Sequence, residues 1–308
     1  MLREKMNSMT IGGAWLSAMM QPGRWSAPLF TALLLVVLSA GWWWRGRRRR
    51  WSGAQHCAAL DPQAYRKFPL QSKRVLTHNT RMFRFRLPPT ATDLGLPVGR
   101  HVVLRVHTAD GREVKRPYTP TRSVARGADG EPGYFELLIK IYPEPHGVMG
   151  RHLDALVPGE AQVEVRGPTG HFTYQPNRYR ELGMIAGGTG ITPMWQIIEH
   201  AVTEPHDRTR IRLVFANVRE EDILMREEIE RLAVQHPHQF QYFYVLNEPP
   251  SPSWSMGVGF VSADHIRGFI GEPADGKHIL MCGPPPMMKA MRAHLEQLGY
   301  PEEAVFKF

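Results

Sequence analysis

Four short stretches of this 308-residue chain combine residue types that could do chemistry. The first is Ala186-Gly187-Gly188-Thr189-Gly190-Ile191-Thr192-Pro193. An apolar run enters glycines, and a helix pattern opens with proline in its first turn. Glycine lets backbone approach a pyrophosphate closely, and a helix start offers free N–H groups and a positive dipole end. The stretch is not a strict G-x-G-x-x-G and lacks the Gly-Lys-Ser/Thr of a P-loop, so by itself it also reads as a tight strand-to-helix turn. The second, Cys282-Gly283-Pro284-Pro285-Pro286-Met287, again ends a strand pattern and opens a helix. The third is Arg116-Pro117-Tyr118-Thr119-Pro120, whose prolines present a phosphate-forking guanidinium, a flat ring and a hydroxyl rigidly, or simply form a rigid turn. The fourth is Gly147-Val148-Met149-Gly150-Arg151-His152-Leu153, a glycine-led helix start suited to an anion, followed by Gly167-Pro168-Thr169-Gly170-His171-Phe172, which also serves as a loop closing a barrel.

The elements that must position these stretches fall into two rhythms. Residues 63–174 hold short alternating strand patterns, such as Phe83 and Phe85 against Arg84 and Arg86, with one helical piece near 147–156. They predict a small antiparallel β-barrel domain. From Leu182 to Phe308 apolar strands alternate with helices, which predicts an α/β domain with a parallel sheet. Residues 51–62 and 175–181 read as linkers. In open α/β sheets ligands bind beyond the carboxyl ends of the strands, so both glycine turns are expected to face one crevice.

The N-terminal 50 residues differ in kind. Twenty uncharged residues, Trp25 to Trp44, are long enough to span bilayer hydrocarbon as a helix, with tryptophans at both ends and Arg45 and Arg47 to Arg50 following. We expect a single-pass membrane anchor within residues 1–50. The basic cluster after the span places the large domain on the cytosolic side, with endoplasmic reticulum and outer mitochondrial membrane both fitting. The net charge of +9 lies mostly in this segment, which carries eight basic side chains and one acidic. Charge therefore does not point to nucleic acid. The two cysteines, Cys57 and Cys282, and the fourteen scattered histidines form no metal-ligand or disulfide pattern. His78, in the segment 75–85, reads as a surface or barrel histidine.

The order Arg-Pro-Tyr-Thr-Pro, Gly-x-Met-Gly-x-x-Leu, Gly-Pro-Thr-Gly-His-Phe, Gly-Gly-Thr-Gly-Ile-Thr-Pro-Met and Cys-Gly-Pro-Pro-Pro-Met-Met resembles the ferredoxin–NADP reductase superfamily. Within it the chain is similar to the NADH–cytochrome b5 reductases over about residues 60–308. Residues 95–102, 137–142, Phe215-Ala216-Asn217 with Asp222 beyond, and the terminal Val305-Phe306-Lys307-Phe308 share in the likeness. The resemblance implies FAD on the barrel, held by Arg116 at the diphosphate and by Pro117, Tyr118 and Thr119 beside the flavin and ribityl chain. It also places Leu138 and Lys140 along the flavin, the backbone of Val148, Met149 and Gly150 at the pyrophosphate, and Thr192 at the isoalloxazine. NADH would meet Gly187, Gly188 and Gly190 at its pyrophosphate, and Cys282, Gly283 and Pro284 at its nicotinamide. Asp222 would accept from the adenine-ribose 2′-hydroxyl and repel a 2′-phosphate. The family usually shows Lys and Ser where this chain has Val148 and Gly150, which removes one charge and one donor. Either FAD is held less tightly as a result, or Arg151 compensates.

The implied activity is hydride transfer from NADH to FAD and then single electrons to a haem protein, cytochrome b5 above all, by a monomer. Thr192, Lys140 and Cys282 are the candidate catalytic residues, no metal is required, and Arg66, Lys67, Arg100 and Arg151 form a candidate docking patch for the haem protein. Two alternatives stand beside this: a flavin reductase for another haem protein or a quinone, and a non-catalytic membrane scaffold that keeps a nucleotide fold.

Overall fold

A computed structural model describes residues 57–108, 110–127 and 130–308 of the chain. The expected anchor, including its span at 25–44, and the linker up to residue 56 lie outside the described residues. No helix among the described residues is long and apolar enough to cross a membrane.

The first domain carries β1 (Arg66–Thr77), β2 (Thr80–Arg86), β3 (His101–His107), β4 (Glu113–Tyr118), β5 (Arg122–Val124), β6 (Tyr134–Lys140), helix α1 (Val148–Ala155) and β7 (Gln162–Thr169). The strands form one antiparallel sheet in the order β4-β3-β7-β1-β2-β6-β5. The long β1 joins two halves. Its first residues pair with β7, and from Leu70 onward it pairs with β2, with a register shift between Leu70 and Ser72. Side chains from β1, β2, β3, β4, β6 and β7 meet in one apolar core, so the halves face each other. Alternation sets that core. Phe83 and Phe85 point in, while Arg84 points out to donate to Glu136 opposite it on β6, at 2.7 and 2.9 Å.

Three sequence expectations differ from the structure. The barrel is not closed by a ladder between β4 and β5, which are the sheet's two edges. Pro117, with no N–H to donate, sits in edge strand β4, as strand chemistry requires. The described end of the 51–62 linker is part of the domain: the N–H groups of Ala59 and Leu60 donate to Asp93 and Leu94, and both side chains are buried. The second linker is likewise stapled down. The carboxylate of buried Asp207 accepts from the Tyr174 hydroxyl at 2.5 Å and from the Asn177 and Thr209 N–H groups.

The second domain holds β8 (Glu181–Gly187), α2 (Ile191–Thr203), β9 (Arg210–Asn217), α3 (Arg226–Gln235), β10 (Phe240–Leu246), β11 (Gly257–Val258), α4 (Ala263–Phe269), β12 (Lys277–Cys282), α5 (Pro285–Gln297) and β13 (Val305–Lys307). The sheet is parallel throughout, in the order β11-β10-β9-β8-β12-β13. Every residue of central β8 is buried, as a strand covered on both faces must be. Helices α2 and α3 pack on one face, α4 and α5 on the other. From β8 the chain steps outward to β9, β10 and β11, then crosses to β12. The switch point between β8 and β12 is where such a sheet opens a crevice.

The three rings of Phe68, Phe85 and Phe135 anchor the first domain, with Phe135 edge-on to Phe68 at 5.3 Å and stacked on Phe85 at 5.2 Å. Phe135→Ala is expected to cost about 3–5 kcal/mol in denaturant unfolding. A loss below about 1 kcal/mol would show that this cluster does not organise the barrel core.

Candidate functional site

The site is built where the switch point meets the open side of the first domain. In β8 and β12 the last residues lie side by side, Met281 against Ile185 and Cys282 against Ala186. The turn Gly188–Gly190 and the start of α2 then pass over the end of β12. A Cβ on Gly190 would stand 2.1 Å from the Cys282 carbonyl oxygen, and one on Gly187 would stand 2.4 Å from Met287 Sδ. These glycines are needed first for the two loops to pack on each other. Gly188 differs: its φ is +52° and nothing lies near its missing side chain. Thr192 is buried in the first turn of α2.

The first domain supplies the opposite wall. Its edge strand β4 ends in Arg116, Pro117 and Tyr118, with buried Thr119 next. Burial pushes the Tyr118 hydroxyl well above its usual range, which keeps it a neutral donor. Leu138 and Lys140 end β6, against which the Gly188–Gly190 turn lies. Buried Met82 and Leu138 belong to the same apolar cluster as α2 and the second sheet, so the two domains share a core at this point.

Helix α1 opens at the end of β6. Its N-cap is Gly147, in the left-handed region at φ 68°, and no side chain caps the helix, so its first N–H groups are free to take an anion. A Cβ on Gly150 would meet the Lys140 carbonyl oxygen at 2.8 Å. Glycine at 150 thus seats the helix start directly on the strand. Arg151, the candidate to compensate, has its guanidinium 3.1 Å from the exposed Glu144.

The two walls enclose one cleft of about 1200 Å³. The structure brings together there Arg116, Pro117, Tyr118, Thr119, Leu138, Lys140, Val148, Met149, Gly150, Gly187, Gly188, Gly190, Thr192, Asp222, Cys282, Gly283 and Pro284. An arginine, neutral hydroxyls, an uncapped helix start and glycine turns suit a long dianionic dinucleotide at each half. Asp222 sits at the far end, in the turn after β9. Its Oδ2 accepts from the Arg219 N–H at 3.2 Å and its Oδ1 lies 3.8 Å from His78 Nδ1. His78 is exposed, as a surface histidine should be, but it reaches across from the first domain, which the sequence did not disclose.

Sequence reasoning also missed Asn79, His101, Tyr142, Asn217, Asn247, Phe260 and Phe308, which line the same cleft. Asn217 and Asn247 follow the rule that ligands sit at strand carboxyl ends, a signal that would have found them. Phe308 arrives through β13, whose pairing with β12 carries the chain terminus to the cleft. His101 is held neutral by burial, reinforced by Arg100 and His171. The four cations proposed as a docking patch are mostly engaged. Arg66 pairs with Asp61, Arg100 donates to Thr173 and Gly170, and Arg151 meets Glu144.

Comparison with known proteins agrees with this geometry. Residues 67–174 match the family model "Oxidoreductase FAD-binding domain" and residues 184–293 the model "Oxidoreductase NAD-binding domain". The chain is 50% identical over 256 residues to NADH-cytochrome b5 reductase 1 of Dictyostelium discoideum, covering 83% of this chain and 86% of that one. It is 44% identical to NADH-cytochrome b5 reductase 1 of Arabidopsis thaliana, covering 83% and 88%. Among solved structures, the cytochrome b5 reductase domain of Ulva prolifera nitrate reductase matches with a TM-score of 0.73 at 35% identity, covering 82% of this chain and all of that one.

The Cys282 thiol is pushed up to about 11 by burial, against a weaker opposite pull from Lys307. At pH 7.5 its thiolate fraction is on the order of one in a few thousand, and the thiolate is the nucleophile. Iodoacetamide at that pH is expected to modify exposed Cys57 and spare Cys282, with Cys282 labelling rising as pH approaches 11. Equal labelling of both at pH 7.5, read by mass spectrometry, would contradict a buried, protonated thiol.

Proposed function

The chain belongs to the NADH–cytochrome b5 reductase family, and on that premise we propose how its cleft serves hydride transfer from NADH to FAD and single-electron delivery to cytochrome b5. The observation that carries this reading is the meeting of the Gly188–Gly190 turn with β6, which puts a nucleotide-binding switch point and the Arg-Pro-Tyr-Thr run in one cleft. When bound, FAD supplies the coupling between a two-electron donor and a one-electron acceptor.

The protein's own work is binding, alignment and exclusion of water. Arg116 forks onto the FAD diphosphate, and the free N–H groups of Val148, Met149 and Gly150 take its other oxygens. Tyr118, kept protonated, and Thr119 bond the flavin and ribityl chain. Leu138 and the Lys140 stem flank the ring. Thr192 marks where the nicotinamide docks, and the Gly187, Gly188 and Gly190 backbone approaches the NADH pyrophosphate. Cys282, Gly283 and Pro284 line the nicotinamide side. A neutral thiol there adds no charge where the hydride passes. Asp222 accepts from the adenine-ribose 2′-hydroxyl and repels a 2′-phosphate, which favours NADH. With valine and glycine at 148 and 150, the diphosphate is held by Arg116 and by backbone rather than by a second cation.

The acceptor follows from the names of the relatives. An acidic haem protein would be drawn to basic side chains near the flavin edge, Lys67 among them. We further propose that residues 25–44 span a membrane of the endoplasmic reticulum or the outer mitochondrion. That anchor would keep a monomeric, cytosol-facing catalytic body in the plane of a membrane-bound acceptor.

The purified protein is expected to be yellow, to bleach anaerobically with NADH, and to regain its colour with oxidised cytochrome b5. A preparation that takes up no FAD, or one whose colour NADH leaves unchanged, contradicts the assignment. Deletion of residues 1–50 should give a soluble protein with full flavin content that still reduces ferricyanide, while the full chain partitions with membranes. Flavin loss on truncation, or a full chain that stays in the aqueous fraction, argues against the anchor.

A further inference from the structure

Two arginines stand beside the Asp222 turn, outside the main cleft, and each is held by carboxylates. Arg219 follows β9 by two residues, and its N–H is held by Asp222. Its Nε donates to Glu248 Oε2 at 2.7 Å, and its Nη1 lies 3.9 Å from Glu221. Arg226, in the first turn of α3, donates to Glu230 at 2.7 Å and to Glu220 at 2.6 Å. These side chains line a second cavity of about 440 Å³ that abuts the Asp222 turn.

Glu248 stands where it does because the backbone fixes it. Its N–H donates to the Val218 carbonyl at 2.8 Å, and the Asn247 N–H donates to Asn217 at 3.2 Å. The segments after β9 and β10 are thereby knitted together, and Asn217, Val218 and Asn247 all line the main cleft. Glu248 is thus held at the rim of the adenosine end, opposite Arg219.

We propose that Glu248 is a specificity-determining residue, which occupies Arg219 and so withholds from the adenosine end the guanidinium that would bind a ribose 2′-phosphate. The proposal rests on the reading that Asp222 receives the adenosine ribose. A guanidinium two residues beyond the strand end, three before that acceptor, is placed to fork onto a phosphate. With Glu248 in place, a 2′-phosphate must displace a carboxylate from Arg219 and also stand among Asp222, Glu220 and Glu221. A ribose diol needs no cation and loses nothing. Discrimination therefore has two parts: an acceptor for the hydroxyl, and a cation neutralised beside it. Arg226 is clamped by two glutamates, whereas Arg219 has one close partner, so Arg219 is the one a single substitution releases. The Arg219–Glu248 pair is more than half exposed on both sides, so it adds little to folding and its removal spares the fold.

The test compares Glu248→Ala, Arg219→Ala, the double variant and Asp222→Ser as full-length holoenzymes. It measures KM and kcat for NADH and NADPH, and inhibition by adenosine 2′,5′-bisphosphate against adenosine 5′-monophosphate. Glu248→Ala is expected to raise kcat/KM for NADPH about two- to fivefold, the range an exposed ion pair allows. The gain should lie in KM, leave NADH kinetics unchanged, tighten bisphosphate inhibition by the same factor, and vanish in the double variant. Wild-type NADPH kinetics in Glu248→Ala, with Asp222→Ser still narrowing the NADH preference, overturn the proposal and leave the Asp222 reading standing. A gain that persists without Arg219 also overturns it, since Glu248 would then act by repulsion alone. If Asp222→Ser changes neither nucleotide and the bisphosphate does not compete with NADH, the Asp222 reading fails and takes this proposal with it.

Discussion

The Cys282 carbonyl oxygen occupies the space where a side-chain carbon on residue 190 would begin, 2.1 Å from it. That close approach seats the first helix turn of the second domain on the end of the neighbouring strand β12. Thr192 and Cys282 are thereby brought to one side of the switch point, and the Gly188–Gly190 turn is pushed against β6 of the first domain. Residue 190 approaches the end of β12 this closely because it carries no side chain. Any atom added at residue 190 has only backbone to displace, and the backbone at the end of a hydrogen-bonded strand does not yield cheaply.

Charge is distributed to suit that geometry. The middle of the cleft is neutral: Leu138, a protonated Cys282 thiol and a protonated Tyr118 surround the place where the two rings would meet. Cations and free N–H groups lie on the diphosphate side, at Arg116 and at the uncapped start of α1. Within the cleft Asp222 supplies a carboxylate at the other end. Under the proposed binding mode, a low-dielectric centre between Arg116 and Asp222 would orient the nucleotides without a catalytic acid or base. At the start of α1, Gly150 lies close on the Lys140 carbonyl and Val148 packs on the barrel core, so this helix start offers backbone rather than a side-chain charge.

Much of this could be read before the structure, because period and punctuation carry it. Alternation in β2 and β6, the buried run of β8 and the two strand-ending glycine turns separate an antiparallel from a parallel domain and locate the crevice. The helix near 147–156 is α1. What could not be read depends on distant chain segments meeting. Nothing local announces that β4 and β5 leave the barrel unclosed, that Ala59 and Leu60 add to its core, or that His78 reaches Asp222 from the other domain. Phe308 is similar: only the pairing of β13 with β12 shows that the chain end returns to the cleft. Charge in a sequence likewise does not reveal that Arg66 and Arg151 have intramolecular partners, Asp61 and Glu144.

The central claim is that the contact between residues 190 and 282 aligns nicotinamide with flavin. The most direct measurement is single-turnover bleaching of Gly190→Ala by NADH in a stopped-flow instrument, with flavin content determined on the same sample. The account predicts full flavin content and a bleaching rate lower by about a hundredfold, the cost of misplacing reacting atoms by roughly 1 Å. Bleaching at the wild-type rate would contradict it.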